Sequence, residues 1–289
     1  MAYKIVFAFL RLISRLPFWV LHVKSYFIYL LLYYVIGYRK KVILNNLAIA
    51  FPNQTSKENK KTARKFVHHF ADFLIESLKT LSISEEELQK RYVYKNQHLV
   101  QDQIDAGKSI MVVAGHVANW EWLFYYGRVS GILSWTAYSP LKNPIFDKMM
   151  VANRERYGFK VFPSKKAANK FAQFAAEGKQ FVNFLAADQS PTVNYKYRAK
   201  FLGQDVPFFI GAETYAKKYD LPVFYANVQK TGRSKYEVKF IPITLNPQET
   251  EQSWITSEYI RLMEENIYQA PENYLWSHRR FKHAQTSKV

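Results

Sequence analysis

From residue 92 onward, short apolar runs of strand length alternate with longer segments of helical period, and this alternation restricts the chain to few architectures. Candidate strands are 110–114, 132–138, 181–186, 223–228 and 236–241. Candidate helices are 119–129, 144–157, 165–177, 209–219 and 252–268, separated by loops short enough for one domain. The predicted class is α/β, a central sheet surrounded by helices. The apolar fraction, 48% of 289 residues, can fill such a core.

The N-terminal region follows a different pattern. Residues 16–37, LPFWVLHVKSYFIYLLLYYVIG, form an apolar stretch long enough to cross a bilayer, interrupted by His22, Lys24 and Ser25. Trp19 and several tyrosines supply interfacial anchors. Lys24 would have to snorkel in a span, so an in-plane amphipathic helix and a buried core helix are the other readings. No Asp or Glu precedes Glu58, whereas Lys4, Arg11, Arg15, Lys24, Arg39, Lys40 and Lys41 do. If the stretch spans, Arg39–Lys41 should stay cytoplasmic. Residues 1–38 are therefore expected to anchor the chain to a membrane, with 39–289 as the main domain. After it, Thr55 and Glu58 form a capping box that opens a helix running to about Leu81. His68 and His69 lie on that helix about 100° apart, so they cannot share a metal ion and are expected to be partly exposed packing residues.

Composition removes several classes of chemistry. Without cysteine there is no disulfide, no thiolate metal site and no cysteine acyl-enzyme. A formal net charge of +18 makes the surface attractive to nucleic acid, anionic lipid or acidic protein. No helix-turn-helix or RNP-like motif favours nucleic acid.

Four places could carry chemistry. In AGHVANWEW, after the strand 110–114, His116 falls in a loop and Asn119 can cap the following helix. Glu121 then lies in the first turn, able to fold back and hold one imidazole nitrogen while the other accepts a proton. The same spacing fits a capping carboxylate beside an ordinary loop histidine. In AADQSP, Asp188 and Gln189 follow the strand 181–186; they suit either a shared crevice at the strand ends or a turn cap. In SPLKNPIFD, Lys142 is either a phosphate ligand or a solvated lysine. The acid-free tail carries Arg279, Arg280, Lys282 and Lys288, and its arginine pair can fork onto phosphate or lock the tail against an internal carboxylate. No metal or cofactor is expected.

These segments together carry a resemblance. GHVANWE is similar to the H-x4-D/E signature of the late acyltransferases of lipid A biosynthesis, the lauroyl and myristoyl transferases of the bacterial inner membrane. NNLAIAFP, SPLKNPIFD, AADQSP, VPFFIGAETYAKKYDLPV and PENYLWSHRRFK resemble further family segments in the same order, across about residues 39–282. H-x4-E alone is weak; six segments in register are specific.

The resemblance implies a fold related to the glycerol-phosphate acyltransferases, and transfer of an acyl chain from acyl carrier protein directly to a lipid hydroxyl at the cytoplasmic face of the inner membrane. It assigns His116 as general base and Glu121 as its orienting acid. Asn119, Lys142, Asp188, Gln189, Arg279 and Arg280 are the expected substrate contacts. An acidic carrier protein, a phosphorylated lipid acceptor and an anionic membrane all complement the charge. One departure stands out: Ser139-Pro140 replaces the family's Arg-Pro, which points toward an altered acceptor such as an aminolipid or lysophospholipid. The rival from another class is a non-catalytic basic protein that binds membrane or nucleic acid.

Overall fold

A computed structural model describes residues 2–284, so Lys288 lies outside the described residues. Helix α1 (Ala2–Ser14) leads to α2 (Phe18–Leu30), which continues through a π-helical turn, Leu31–Val35. The segment Phe18–Val35 is long and apolar enough to cross a membrane, yet only 22% of it is buried, which excludes a core helix. Helix α3 (Lys40–Ala50) and the long α4 (Ser56–Lys79) follow. The capping box is present: Thr55 Oγ1 accepts from Glu58 N, and Glu58 reaches back to Thr55 N.

The sheet begins after α5 (Glu85–Arg91) with the short strand β1 (Tyr92–Tyr94), then α6 (His98–Asp105) and β2 (Ile110–Ala114). The residues IMVVA of β2 are buried throughout, as expected for a strand covered on both faces. A 3₁₀ turn (Trp122–Tyr125) and the short α7 (Tyr126–Val129) lead to β3 (Leu133–Tyr138). These two short pieces replace the single helix expected over 119–129. Next come α8 (Pro144–Glu155), β4 (Phe159–Pro163), α9 (Ala167–Ala176) and β5 (Phe181–Ala186). A hairpin of β6 (Arg198–Phe201) and β7 (Gln204–Pro207) stands apart from the main sheet. Helix α10 (Gly211–Tyr219), β8 (Val223–Gly232), β9 (Lys235–Thr244) and α11 (Trp254–Gln269) complete the order.

All five expected strands are present, and β1, β4 and the β6–β7 hairpin are additional. The seven strands run β1-β9-β8-β2-β5-β3-β4. Strands β8, β2, β5, β3 and β4 are mutually parallel; β9 is antiparallel to β8, and β1 is parallel to β9. Helices cover this sheet, with α11 against β8 and β9, α8 against β4 and α10 against β2. Two quoted segments supply helix caps. Asn143 accepts from the backbone of Ile145 and Phe146 ahead of α8, with Pro144 at its first position. Glu213 accepts from the N–H groups of Ser253 and Thr256 at the start of α11, where a carboxylate complements the helix dipole.

Helix α2 is not free of the body. Leu21 and Ser25 are buried against α4, and Ser25 Oγ donates to Asp72 Oδ1 at 2.6 Å. Arg233, at the β8–β9 turn, forks onto the same carboxylate and donates to the carbonyl of His22. The opposite face is exposed and apolar: Trp19 is 71% exposed, Phe27 63% and Tyr34 60%.

Candidate active site

Strand register assembles the site. Strands β2 and β5 are parallel neighbours, with Ala114 opposite Ala186. His116 and Asp188 each lie two residues beyond that pair, so the register brings their backbones side by side, about 5 Å apart. The chain leaves β2 toward β3 and leaves β5 toward β8, in opposite directions across the sheet, a topology that opens a crevice at the carboxyl ends.

Within it, His116 Nδ1 is 2.7 Å from Asp188 Oδ1, and the His116 backbone N–H donates to Asp188 Oδ2 at 3.1 Å. A carboxylate on Nδ1 fixes the Nδ1–H tautomer and leaves Nε2 as the acceptor. The Gln189 side-chain amide lies 3.3 Å from Nε2. The imidazole is 17% exposed, while Asp188 is only 2% exposed. Burial alone would lower the His116 pKa, but the charge and hydrogen bond of Asp188, with Glu121 farther away, hold it above its ordinary value. Burial likewise pushes Asp188 up, and the imidazole and backbone donors outweigh it, so its pKa is lowered.

Glu121 does not occupy the position expected for it. Asn119 Oδ1 caps the 3₁₀ turn by accepting from Trp122 N at 3.0 Å, and the tight turn directs Glu121 toward α8. There Arg154 grips it with two hydrogen bonds, Nε to Oε2 at 3.0 Å and Nη2 to Oε1 at 2.7 Å. The acid on the imidazole is Asp188 because adjacent strand ends place it there, while Glu121 and Arg154 lie in a second layer of charge. Sequence reasoning missed Arg154, which belongs to a helix more than thirty residues downstream and carries no local signal.

The remaining expected residues separate. Asn119 is fully buried, with Nδ2 donating to Glu76 Oε2 at 2.6 Å, so it is not open to a ligand. Lys142 is exposed on the loop before α8. Arg279 is exposed; Arg280 is 1% exposed, with its guanidinium over the rings of Phe201 and Phe208 and Nη1 donating to the Pro207 carbonyl. Arg280 is turned inward as the locking reading expected, but onto a backbone carbonyl and two aromatic rings rather than a carboxylate.

Beneath the His116 loop, α4 supplies a buried polar layer. Glu76 accepts from Asn119, Ser234 Oγ and Tyr236 OH, and burial raises its pKa. His69 is buried rather than partly exposed. Its Nε2 lies 3.3 Å from the Ala118 carbonyl and its Nδ1 3.2 Å from Lys230 Nζ. Burial, aided by Lys230, pushes it down to about 3, so it stays neutral and donates to Ala118. Ala118 itself has φ +55°, a left-handed conformation that costs a non-glycine residue roughly 1 kcal/mol or more. The His69 bond and a 2.9 Å bond from Ala118 N to the Asn273 carbonyl hold it there.

A mostly parallel sheet carries a histidine–carboxylate pair at adjacent strand ends, and an apolar N-terminal helix packs on α4; the class is α/β. Residues 2–283 match the family described as bacterial lipid A biosynthesis acyltransferase, and the chain belongs to that family. It is similar to the lipid A biosynthesis palmitoleoyltransferase of Escherichia coli (strain K12), at 22% identity over 260 residues, 84% of this chain and 79% of that protein. It is also similar to a lipid A biosynthesis acyltransferase of Haemophilus influenzae, at 23% identity over 238 residues, covering 80% and 72% respectively. Membership carries acyltransferase chemistry on a lipid substrate.

Proposed function

We propose that the protein transfers an acyl chain from acyl carrier protein to a hydroxyl of a lipid acceptor late in lipid A assembly, with His116 as general base. The observation that carries this reading is the His116–Asp188 pair: Nδ1 is held by a buried carboxylate, which leaves Nε2, 3.3 Å from the Gln189 amide, as the ring nitrogen able to take a proton. Nε2 takes the acceptor hydroxyl proton as the oxygen attacks the thioester carbonyl. The new C–O bond forms, the C–S bond breaks, and the imidazolium returns the proton to the departing thiolate. Asp188 steadies the imidazolium. The absence of cysteine suits this direct transfer. Glu121 and Arg154 set the field around the imidazole as a pair, and the exposure of Lys142 and Arg279 supports their meeting acceptor phosphates or the acidic carrier protein.

Residues 1–38 serve as the membrane-anchoring segment of this reading and 39–289 as the acyltransferase domain. The membrane pose is in-plane. A span would need lipid or other helices around α2, whereas one side of it is hydrogen-bonded to α4 and the β8–β9 turn. The exposed apolar face, flanked by Lys24 and Arg39–Lys41, fits the interface of an anionic bilayer, on the cytoplasmic side where a carrier protein has access.

A second acceptor reading rests on Ser139, exposed where the resemblance leads one to expect arginine. It keeps the chemistry and replaces the phosphorylated disaccharide with an aminolipid or lysophospholipid. The test is acyl transfer from acyl carrier protein to a panel of bisphosphorylated, monophosphorylated and phosphate-free acceptors. Transfer to lipid A precursors supports the first reading, and preference for a phosphate-free lipid supports the second. No transfer to any acceptor, together with a tight nucleic-acid complex at 200 mM salt, would replace both with the non-catalytic binder.

A further inference from the structure

We propose that the C-terminal segment 273–280 is a strap that positions both halves of the catalytic pair, with His278 as a positioning residue for the Asp188 loop. This rests on the general-base reading above. The strap touches the two strand-end loops at separate points. On the β2 side, Asn273 O accepts from Ala118 N at 2.9 Å, Leu275 N donates to His116 O at 3.1 Å, and Val117 bridges to Tyr274. On the β5 side, the Ser190 backbone N–H donates to His278 Nε2 at 3.0 Å. Ser190 is two residues beyond Asp188 and outside the sheet ladder, which ends at Ala186.

The strap is itself held from behind by the start of the main domain. Asn46 Nδ2 on α3 donates to the carbonyls of Trp276 and His278, at 2.8 and 2.7 Å, and Arg39 donates to that of Ser277 at 2.9 Å. Arg280 locks the far end onto Pro207. NNLAIAFP, SHRRFK and AADQSP are thus consecutive links of one chain of hydrogen bonds: Asn46 to His278, His278 to Ser190, and the Ser190 loop to His116 through Asp188.

His278 must be neutral to accept from Ser190. Burial, with His116 and Arg280 adding repulsion, pushes it down to about 4 against the attraction of Asp188, so it stays an acceptor across the working range of His116. A residue acting only as packing could be replaced by an apolar group of similar size. A residue acting as an acceptor needs a lone pair at the same reach.

The test compares His278→Leu, which cannot accept, His278→Asn, polar but too short to reach, and His278→Gln, whose carbonyl can take the place of Nε2. Each is read by thermal melting, by NMR titration of the His116 imidazole, assigned with His116→Ala, and by kcat and KM. The expected result is a ~10²-fold loss of kcat in the Leu and Asn variants, the scale of a 1 Å misplacement, with KM little changed. The His116 titration should move down toward its ordinary value in both, and His278→Gln should recover most of both properties. An unchanged His116 titration and kcat in His278→Asn would overturn the proposal, as would His278→Gln failing alongside it at the same melting temperature. If Leu prevents folding, the Asn–Gln comparison decides alone. The titration requires no substrate, so a wild-type protein inactive on every acceptor would defeat the proposed reaction while the strap is still judged by NMR.

Discussion

His116 and Asp188 make opposite demands on one proton, and their variants should differ accordingly. His116→Ala removes the proposed base and is expected to lower kcat by roughly 10²–10⁴-fold, with an unchanged melting curve. A folded variant with near-wild-type turnover would end the general-base reading. Asp188→Asn is more informative. The amide can present N–H to Nδ1, shift the tautomer and place a proton on Nε2, costing up to about 10⁴-fold in kcat. The base works when neutral, so kcat/KM should rise with pH through the raised His116 pKa in the wild type. In Asp188→Asn the residual activity should have that limb displaced to lower pH, because the attraction that raised the pKa is gone. Glu121 belongs to a different interaction. Its side chain and that of Arg154 are 11% and 10% exposed, so Glu121→Ala leaves a poorly hydrated guanidinium unpaired, an expected loss on the order of 3 kcal/mol in chemical denaturation. A variant that loses turnover at full stability would instead place Glu121 in the chemistry itself.

The elements divide into those that carry the site and those that present it to lipid. Helix α4 does both: Asp72 faces α2, and Glu76 and His69 face the His116 loop. Removing α2 would strip a buried carboxylate of its Ser25 partner, so deletion tests anchoring poorly. Point changes on the exposed face are cleaner. Trp19→Glu with Phe27→Glu alters side chains that make little contact with the body, and should release much of the protein from vesicles while leaving its melting temperature within about 2 °C. The pose can be read directly, because the chain has no native cysteine. Single cysteines at Trp19 and Ile36 should label from the same side of a sealed vesicle if α2 lies in-plane. Labelling from opposite sides would establish a span.

At the scale of the whole molecule, charge and apolar surface act together. A net charge of +18 attracts anionic lipid over a Debye length of about 8 Å at physiological salt, whereas burial of Trp19, Phe27 and Tyr34 in lipid is not screened. Binding to anionic vesicles should therefore weaken as salt rises to roughly 0.5 M and level off above zero, as measured by flotation. Complete release at high salt would reduce the interaction to electrostatics alone.

Much of this was legible in the sequence because it is local. Period and composition located all five strands of the expected sheet, the Thr55–Glu58 cap, the exposed apolar stretch and the loop bearing His116, each determined within a few residues of itself. What is distant in sequence was decided by tertiary structure. Spacing offered Glu121 as the acid on His116 and left Asp188 as a crevice residue or a turn cap; the β2–β5 register, which pairs residues seventy-two positions apart, placed Asp188 on the imidazole instead. Arg154 then took Glu121. His69, expected to be a partly exposed packing residue, is buried because the Ala118 carbonyl and Lys230 close over it. A carboxylate's partner depends on which strands become neighbours, and hydrophobic period specifies that a strand exists without specifying the strand beside it.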